Sequence, residues 1–312
     1  MSERIYIICH PSSGGGKGKT ILEEVYAILN SFKTTYLTYF TDYASHAKII
    51  TQQIVAKGFD PQKHQLMVLG GDGTLHEVVD ALIEMNLKIP IAYIATGTGN
   101  DFNRVWQPQK SIRQIVETML FSREAKEIPV FIYYDKTTNI KDVVLNSIGF
   151  GFDAEVNYLT QKIDSKSFLR KYFDGRLAYL VSIFKSLNLL SSFDVTIQLD
   201  GKTQVVSNAY LACIMNNPYI GGGIKLDNLA SHERKEVSLI IFHDINFKAI
   251  IQLLISVLIR QDQHLSPNVT RFAGQSLQMK LNKPIRGQVD GEDLTQIHAD
   301  LTVGLSEYPF YL

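Results

Sequence analysis

A run of apolar residues that ends in three closely spaced glycines constrains the fold of this chain more than any other segment. Leu66–Leu69 has the composition of a buried strand, Gly70–Thr74 (Gly-Gly-Asp-Gly-Thr) follows at once, and His76–Met85 has helical character. A strand, a glycine turn and a helix start present bare backbone N–H groups to a phosphate, because glycine has no Cβ to block the approach. Asp72 and a phosphate are both negatively charged, so a carboxylate at this place requires a metal ion or a transferred proton. The segment therefore predicts a protein that binds a nucleotide and its magnesium ion.

The first 125 residues alternate strand-like and helix-like segments, and the glycine turns of this region follow strands. The predicted strands are Ile5–Cys9, Thr34–Phe40, Leu66–Leu69 and Ile89–Ile94, and the predicted helices are Thr20–Phe32, Ala44–Ala56, Leu75–Met85 and Ile112–Phe121. Such alternation with short loops is typical of an α/β domain with a mostly parallel sheet covered on both faces. Ligands bind such sheets at the carboxyl ends of the strands.

After about residue 127 the pattern changes to strands with few helices. The predicted strands are Val143–Ile148, Phe193–Leu199, Val205–Met215, Val237–Phe242, Leu277–Leu281 and Gln296–Val303, and the predicted helices are Leu169–Leu190 and Phe247–Ile259. This pattern favours an antiparallel β-sandwich. We therefore predict a nucleotide-binding domain over 1–127 and a β-rich substrate domain over 128–303, with a cleft between them. The C-terminal tail, about 304–312, is a candidate to pack back on the first domain.

Charge and cysteine usage exclude several classes of protein. The 312 residues contain 31 basic and 31 acidic side chains, so no basic field points to nucleic acid as a partner. Cys9 and Cys213 lie in apolar runs and are predicted to be buried, reduced thiols. The apolar helix Phe247–Ile259 is shorter than the roughly 20 residues that span a bilayer. The first apolar run is too short for a signal peptide, and we expect a soluble cytoplasmic protein.

Two further glycine turns accompany the first. Ser12–Thr20 comes close to the P-loop pattern, but Ser13 stands where the leading glycine belongs, so a P-loop and a solvated surface turn both stay open. Thr96–Asp101 (Thr-Gly-Thr-Gly-Asn-Asp) offers hydroxyls and amides to a phosphate or a ribose. The structural alternative at each site is a tight capped turn, with Asp72 or Asp101 as helix N-cap. Two neighbouring turns of this kind weaken that alternative.

A carboxylate near the C-terminus is the candidate general base. Gln288–Glu292 contains Asp290-Gly291, which is a strong hairpin-turn signal, followed by Glu292. The pattern is compatible with a purely structural hairpin. A carboxylate on a tight turn at a domain cleft would also suit proton removal from a substrate.

Taken together, these segments resemble the bacterial soluble diacylglycerol kinase family of lipid kinases, which is related to sphingosine, ceramide and NAD kinases. The resemblance covers nearly the whole chain. It is carried by His10-Pro11 with its Ser-Gly turn, Thr41 with His46-Ala47, Gly70–Thr74, Gly97–Asp101, Gly221–Gly223 and Asp290–Glu292. It implies a NAD kinase/diacylglycerol kinase-like α/β domain, a C-terminal sandwich, ATP and Mg²⁺ as cofactors, and a membrane lipid as substrate.

The resemblance also implies roles for individual residues. Glu292 would take the proton from the lipid hydroxyl, and Asp72 would belong to a carboxylate–water–magnesium network, as the metal-binding and second catalytic residue. The residues that would contact the nucleotide or shape its site are Ser12, Ser13, Thr41, Gly70, Gly71, Gly73, Thr74, Gly97, Thr98, Asn100, Asp101, Asp290 and Gly291. Aromatic residues of the second domain are candidates to line an acyl-chain site: Phe150, Phe152, Phe168, Tyr172, Phe173, Tyr179 and Phe184.

The chain departs from the family pattern at several positions. His10 replaces the usual Asn, Ala95 the usual Pro, and Pro129 an Asp that reaches towards the nucleotide. Glu233–Glu236 replaces an Asp-Gly whose carboxylate can hold a structural magnesium ion. These departures leave two alternatives open, a catalytically weak or inactive lipid- or nucleotide-binding regulator and a soluble-metabolite kinase of the NAD type. The identity of the lipid, a homodimeric state and transient contact with the inner face of the membrane stay open as well.

Overall fold

The computed structural model describes residues 4–122, 124–152, 154–155, 191–230 and 235–312. It divides into two compact units, one running to Ile128 and including Glu307–Leu312, the other formed by Pro129–Ser306. The predicted helix Leu169–Leu190 and the aromatic candidates between residues 168 and 184 lie outside the described residues. Within the described ranges, no helix is both long and apolar enough to cross a membrane.

The first unit is an α/β fold built on parallel strands. Its strands are β1 (Arg4–Cys9), β2 (Tyr36–Phe40), β3 (His64–Gly70) and β4 (Ile91–Ala95), and its helices are α1 (Ser13–Ser31), α2 (His46–Ala56), α3 (Asp72–Glu84), α4 (Asp101–Trp106) and α5 (Ile112–Glu117). The parallel order is β2-β1-β3-β4, and Phe310 and Tyr311 add a further parallel pairing against β4. A single π-helical turn, Thr118–Ser122, follows α5.

The core of the first unit explains the apolar runs within β1, β3 and β4. Residues 5–9 of β1 are fully or nearly fully buried, and the apolar residues of β3 and β4 are buried as well. Strands buried on both faces read as continuous apolar runs, as expected for a parallel sheet with helices on either side. Because parallel strands end at the same edge, β1, β3 and β4 deliver their following loops to one region.

The second unit is an antiparallel β-sandwich. Its strands are β5 (Lys126–Asp135, beginning at the end of the first unit), β6 (Ile140–Val144), β7 (Ser147–Gly151), β8 (Phe193–Leu199), β9 (Lys202–Met215), β10 (Tyr219–Ile220), β11 (Ile224–Lys225), β12 (Val237–His243), β13 (Val269–Gly274), β14 (Ser276–Leu281), β15 (Ile285–Val289), β16 (Glu292–Ile297) and β17 (Asp300–Tyr311, whose last residues belong to the first unit). Strand β9 is the longest, and it pairs with β8 along its first half and with β7 and β12 along its second. The helix α6 (Phe247–Ile255) continues into a π-helical turn, Ser256–Arg260, and a short 3₁₀ turn follows at Gln263–Leu265.

The predicted fold class, an α/β domain plus an antiparallel sandwich, is confirmed, but two strand predictions were wrong. The predicted strand Val143–Ile148 is two strands, β6 and β7, because the backbone N–H groups between them bond a side chain instead of a neighbouring strand. The predicted strand Gln296–Val303 is likewise divided, with its ends belonging to β16 and β17. Strands β5, β10, β11, β13 and β15 were not predicted.

Candidate functional site

The second and third glycine turns touch each other at the ends of β3 and β4. A Cβ built on Gly97 would lie 2.7 Å from the Cα of Gly71, so only glycine permits this backbone approach. The N–H of Thr96 donates to the carbonyl of Gly70 at 2.8 Å, which extends the pairing of the two strands into the loops. A Cβ on Gly70 would itself lie 2.5 Å from the Cβ of Thr74. The strand ends therefore form a surface of close-packed main chain.

The first glycine turn joins the third through two hydroxyl groups. Ser13 Oγ donates to the carbonyl of His10 at 2.7 Å and lies 2.5 Å from Thr96 Oγ1. Because the single hydroxyl proton of Ser13 serves His10, the Thr96 hydroxyl is the donor between the two side chains. A Cβ on Gly14 would also collide with the Thr96 carbonyl oxygen. The sequence singled out the turn that contains Thr96, but it did not predict the contact of this hydroxyl with Ser13.

The Ser-Gly turn leaves part of its backbone open. Gly14, Gly15 and Gly16 have φ values of 58°, 71° and 97°, so the regular helix α1 begins only after Gly16. These three left-handed glycines form a bend between β1 and the regular part of α1. No atom lies within 4 Å of a Cβ built on Gly15 or Gly16, and this stretch is open to a ligand.

His10 organises two of the predicted nucleotide-contacting residues. Its Nδ1 lies 2.7 Å from Thr41 Oγ1, and its Nε2 lies 3.3 Å from Ser12 Oγ. The Thr41 N–H also donates to the Cys9 carbonyl at 3.0 Å, and the side chain is buried. The imidazole therefore bridges the loops after β1 and β2. Sequence reasoning noted His10 only as a departure from the family pattern and missed this bridging role.

Asp72 binds the start of the next helix rather than capping its own. Gly71 is the N-cap of α3 and Asp72 the first helical residue, which corrects the N-cap alternative. The N–H of Asp101 donates to Asp72 Oδ2 at 3.0 Å, and the N–H of Phe102 donates to Oδ1 at 3.2 Å. Asn100, not Asp101, is the N-cap of α4. The carboxylate thus joins the turns after β3 and β4.

Two polar side chains border the same loops, the buried Tyr93 and the half-buried Asn100. The hydroxyl of Tyr93 donates to the Gly70 carbonyl at 3.2 Å, and burial raises its pKa well above the ordinary value, with a further contribution from Asp72 and Asp101. Tyr93 therefore stays neutral. The amide of Asn100 donates to the Gly97 carbonyl at 2.8 Å, whereas its buried Oδ1 accepts no hydrogen bond from the described residues. That oxygen is available to a hydroxyl or amine donor of a ligand.

The residues of this region fit a nucleotide. The first N–H groups of α3, a helix of 13 residues, cannot be bonded within the helix, and they lie where Gly71 and Gly73 leave no side chain in the way. Asn100 supplies a buried acceptor, and Gly15 and Gly16 supply open main chain. Thr98 is exposed. Glu292, the predicted general base, and Asp290, which precedes it in the same turn, belong to the other unit.

Fewer features of this region fit a magnesium ion than fit a nucleotide. In the part of the chain that the structure describes, no cluster of three or more His, Cys, Asp or Glu side chains could hold a metal ion. A carboxylate has about four lone-pair sites, so the two backbone bonds to Asp72 are compatible with ligation of a metal ion as well. Mg²⁺ is commonly held by one or two carboxylates together with substrate phosphates and water. Asp72 therefore fits a magnesium ion that arrives with the nucleotide.

In the second unit, Asp290 and Gly291 form a two-residue hairpin turn between β15 and β16. Their φ values are 49° and 95°. The carboxylate of Asp290 accepts N–H bonds from Leu145 at 2.8 Å, Asn146 at 2.7 Å and Ser147 at 3.0 Å. Asp290 therefore binds protein backbone and fixes the turn that carries Glu292. Glu292, the next residue after the turn, is exposed at the start of β16.

The second unit also contains an apolar cavity. One wall is formed by α6 and its π-helical turn, and the others by the sheet and the β10–β11 hairpin. The lining residues are Phe152, Tyr210, Leu211, Ile220, Ile224, Leu226, Phe242, Ile245, Ile250, Leu253, Leu254, Val257 and Leu258. Phe152 is the aromatic candidate that reaches this cavity, whereas Phe150 is part of the core cluster under the sheet. The cavity has the chemistry of a site for hydrocarbon.

An arginine occupies the region near Glu236, where the sequence departs from the family's structural magnesium site. Asp227 is fully buried, and the Nε of Arg271 lies 2.9 Å from its Oδ2. The same guanidinium reaches Glu236 at 2.8 Å, and Asp227 also accepts bonds from the N–H groups of Leu229 and Ala230. The described residues here therefore do not fit a divalent cation, because the guanidinium already neutralises the buried carboxylate.

Comparisons with known proteins cover both units. Residues 4–131 match the family described as "Diacylglycerol kinase catalytic domain", and residues 146–305 match the "YegS C-terminal NAD kinase beta sandwich-like domain". "Putative lipid kinase YtlR" of Bacillus subtilis (strain 168) is 25% identical over 300 residues, which is 94% of each chain. "Putative lipid kinase SERP0390" of Staphylococcus epidermidis is 28% identical over 233 residues, 73% of this chain and 69% of the relative.

A solved structure shares the fold along the whole length. The crystal structure of "a putative diacylglycerol kinase from Bacillus anthracis str. Sterne" superposes with a TM-score of 0.73, covering 99% of this chain and 96% of that one. At 19% identity this likeness establishes the fold alone.

Proposed function

Because the chain belongs to the soluble diacylglycerol kinase family, we propose that it is an ATP-dependent, magnesium-requiring kinase that phosphorylates a hydroxyl group of a membrane lipid. The observation that carries the proposal is the close-packed main chain at the ends of β3 and β4, where Gly97 and Gly71 touch. Phosphoryl transfer depends mainly on positioning and on neutralising charge, and backbone N–H groups serve both.

The nucleotide would lie on the first unit. The N–H groups at the start of α3 would hold its phosphates, and Ser12, Thr41 and Asn100 would border the rest of the molecule. Asp72 would hold the magnesium ion, which supplies neutralisation of charge on the phosphate oxygens. The bonds from Asp101 and Phe102 fix the Asp72 carboxylate in one orientation. This fixed orientation favours metal binding, because a carboxylate that is already oriented loses little entropy when it binds the ion.

Glu292 would act as the general base on the lipid hydroxyl. Its turn is anchored by the three N–H bonds to Asp290, so the backbone that carries Glu292 has a defined position. A carboxylate within hydrogen-bond reach of an alcohol can accept its proton as the new bond to phosphorus forms. The apolar cavity of the second unit would hold the acyl chains. The lipid substrate would bring the protein transiently to the inner face of the membrane.

In the first experiment, the purified protein is incubated with labelled ATP, Mg²⁺ and mixed vesicles. The vesicles contain diacylglycerol, phosphatidylglycerol and a sphingoid base. We expect label in the lipid phase, and the labelled product identifies the acceptor. Nucleotide binding in calorimetry with no transfer to any lipid alcohol would instead support the non-catalytic regulator. Transfer to NAD in the same mixture would support the soluble-metabolite kinase.

The second experiment tests the base. Glu292→Gln removes the proton acceptor but keeps the size of the side chain, so we expect kcat to fall by about 10²-fold or more while ATP affinity changes little. Glu24→Gln, which alters an exposed carboxylate on α1, is the control and should match the unmodified protein. Full turnover in Glu292→Gln would show that another group accepts the proton.

A further inference from the structure

The outward face of α6 and its π-helical turn carries a row of exposed isoleucines. Ile251, Ile255 and Ile259 are spaced four residues apart, so they share one face of the helix, and they are 43%, 38% and 75% exposed. Leu265 (74% exposed) and Leu229 (40%) lie near the end of this row, because the neighbouring Asn228 amide donates to Gln261 O and contacts His264. These five residues are called the outer apolar face.

The opposite side of the same helix is also apolar. Ile250, Leu253, Leu254, Val257 and Leu258 line the cavity of the second unit. A helix between a core and water normally has one apolar stripe and one polar face. A helix that is apolar on two sides leaves apolar surface in water on its outer side, and transfer of that surface to a second apolar environment is favourable.

The charges around the outer apolar face suit a membrane interface. Between Ile245 and Gln261 there are two charged residues, Lys248 and Arg260, both cationic and exposed. Long cationic side chains at the ends of an apolar stripe can reach lipid head groups while their stems stay in the apolar layer. The nearest carboxylates already have partners, since Asp244 bonds His243 and Asn208, and Asp262 bonds Ser256.

We propose that the outer apolar face docks on a phospholipid bilayer, with α6 lying in the plane of the head-group boundary. The proposal rests on the proposed function in one respect: if the cavity holds the chains of the lipid substrate, α6 separates that cavity from the bilayer that supplies the substrate. An interfacial helix of this length binds through its buried apolar area, assisted by attraction of cations to anionic lipid.

A single fluorescent probe tests the docking directly. Cys9 and Cys213 are fully buried, so an introduced Ile259→Cys is the reactive thiol and can carry an environment-sensitive dye. On addition of phosphatidylcholine–phosphatidylglycerol vesicles we expect blue-shifted, brighter emission. Val205→Cys, on β9 of the same unit and 61% exposed, is the matched control and should show no change. Unchanged emission at position 259 would overturn the proposal.

A charged substitution gives the quantitative test. Ile259→Glu should weaken vesicle co-sedimentation about tenfold or more, because one isoleucine is withdrawn from hydrocarbon and an acid is placed against it. Val205→Glu should bind as the unmodified protein does. Equal vesicle binding by both variants would overturn the proposal. A change in sedimenting mass without a change in vesicle binding would instead assign the outer apolar face to contact with a second copy of the chain.

Activity measurements separate this proposal from the proposed function. Ile259→Glu should lose transfer to vesicle lipid but keep transfer to a monomeric short-chain lipid alcohol. Vesicle transfer that is insensitive to Ile259→Glu would overturn the docking face and leave the kinase intact. A probe response with no transfer to any acceptor would overturn the kinase and leave the docking face intact.

Discussion

At the residue scale, two carboxylates organise this protein by accepting backbone N–H bonds from other segments. Asp72 binds the start of α4, and Asp290 binds three successive N–H groups of residues 145–147. Such bonds to a charged acceptor contribute more than neutral ones, about 1.5–3 kcal/mol where the group is shielded from water. Each carboxylate therefore holds together loops that are far apart in the sequence.

We expect Asp290→Asn to destabilise the second unit by about 2 kcal/mol. Asparagine keeps the shape and tolerates the left-handed φ of 49°, but it loses the charge and turns an NH₂ group towards the Leu145 N–H. Urea unfolding measures the loss. The matched control is Asp200→Asn, in the second Asp-Gly hairpin turn of this unit, where φ is also 49° and the carboxylate is exposed. The control should change stability by under about 0.5 kcal/mol, and equal losses at both turns would refute the anchoring role.

At the element scale, the start of α3 and the start of α4 are brought together by glycines with different tasks. A Cβ on Gly97 would meet Gly71 Cα at 2.7 Å and Asn100 Oδ1 at 2.9 Å, whereas a Cβ on Gly71 would make only an ordinary contact at 3.5 Å. Gly97 is therefore needed for packing. Gly71 has room for a methyl group on the protein side, so we infer that its lack of a side chain serves a ligand.

Two alanine substitutions separate these tasks. Gly97→Ala should cost about 1–3 kcal/mol of stability through overpacking and weaken ATP binding as the loop shifts. Gly71→Ala should cost under about 1 kcal/mol, a helix N-cap effect, yet weaken ATP binding strongly because the methyl group lies where the phosphates would approach. Denaturant unfolding and calorimetric ATP titration measure the two effects.

Gly304→Ala is the control for both, because no atom lies within 4 Å of a Cβ built there. Intact ATP affinity in Gly71→Ala would show that the phosphates bind elsewhere.

The elements that sequence reasoning predicted well are those whose pattern is local. The parallel strands appear as continuous apolar runs, and the glycine turns after them were located correctly because strand, glycine and helix signals are adjacent. The contact between Ser13 and Thr96 could not be predicted, since it depends on two loops meeting across 83 residues. The division of Val143–Ile148 was missed for the same reason, because the interrupting carboxylate comes from Asp290.

At the scale of the whole molecule, each unit has its own apolar core and one buried thiol. Cys9 lies in β1 within the core of the first unit, and Cys213 lies in β9 within the second. Both are fully buried. Burial raises the pKa of the Cys9 thiol to about 11, so the reactive thiolate is scarce in the folded protein at pH 8. Alkylation of each thiol therefore reports the opening of the unit that contains it.

We expect Gly97→Ala and Asp290→Asn to change the alkylation rates of different thiols. Under conditions where reclosing is faster than labelling, the rate follows the population of the open form, so a loss of 2 kcal/mol raises it about 30-fold. Gly97→Ala should accelerate labelling of Cys9 with little effect on Cys213, and Asp290→Asn should do the reverse. Mass spectrometry of the two cysteine peptides after a timed pulse measures both rates in one sample. Equal acceleration of both thiols in each variant would mean that the units open as one cooperative body, whereas selective acceleration means that each core holds its own thiol.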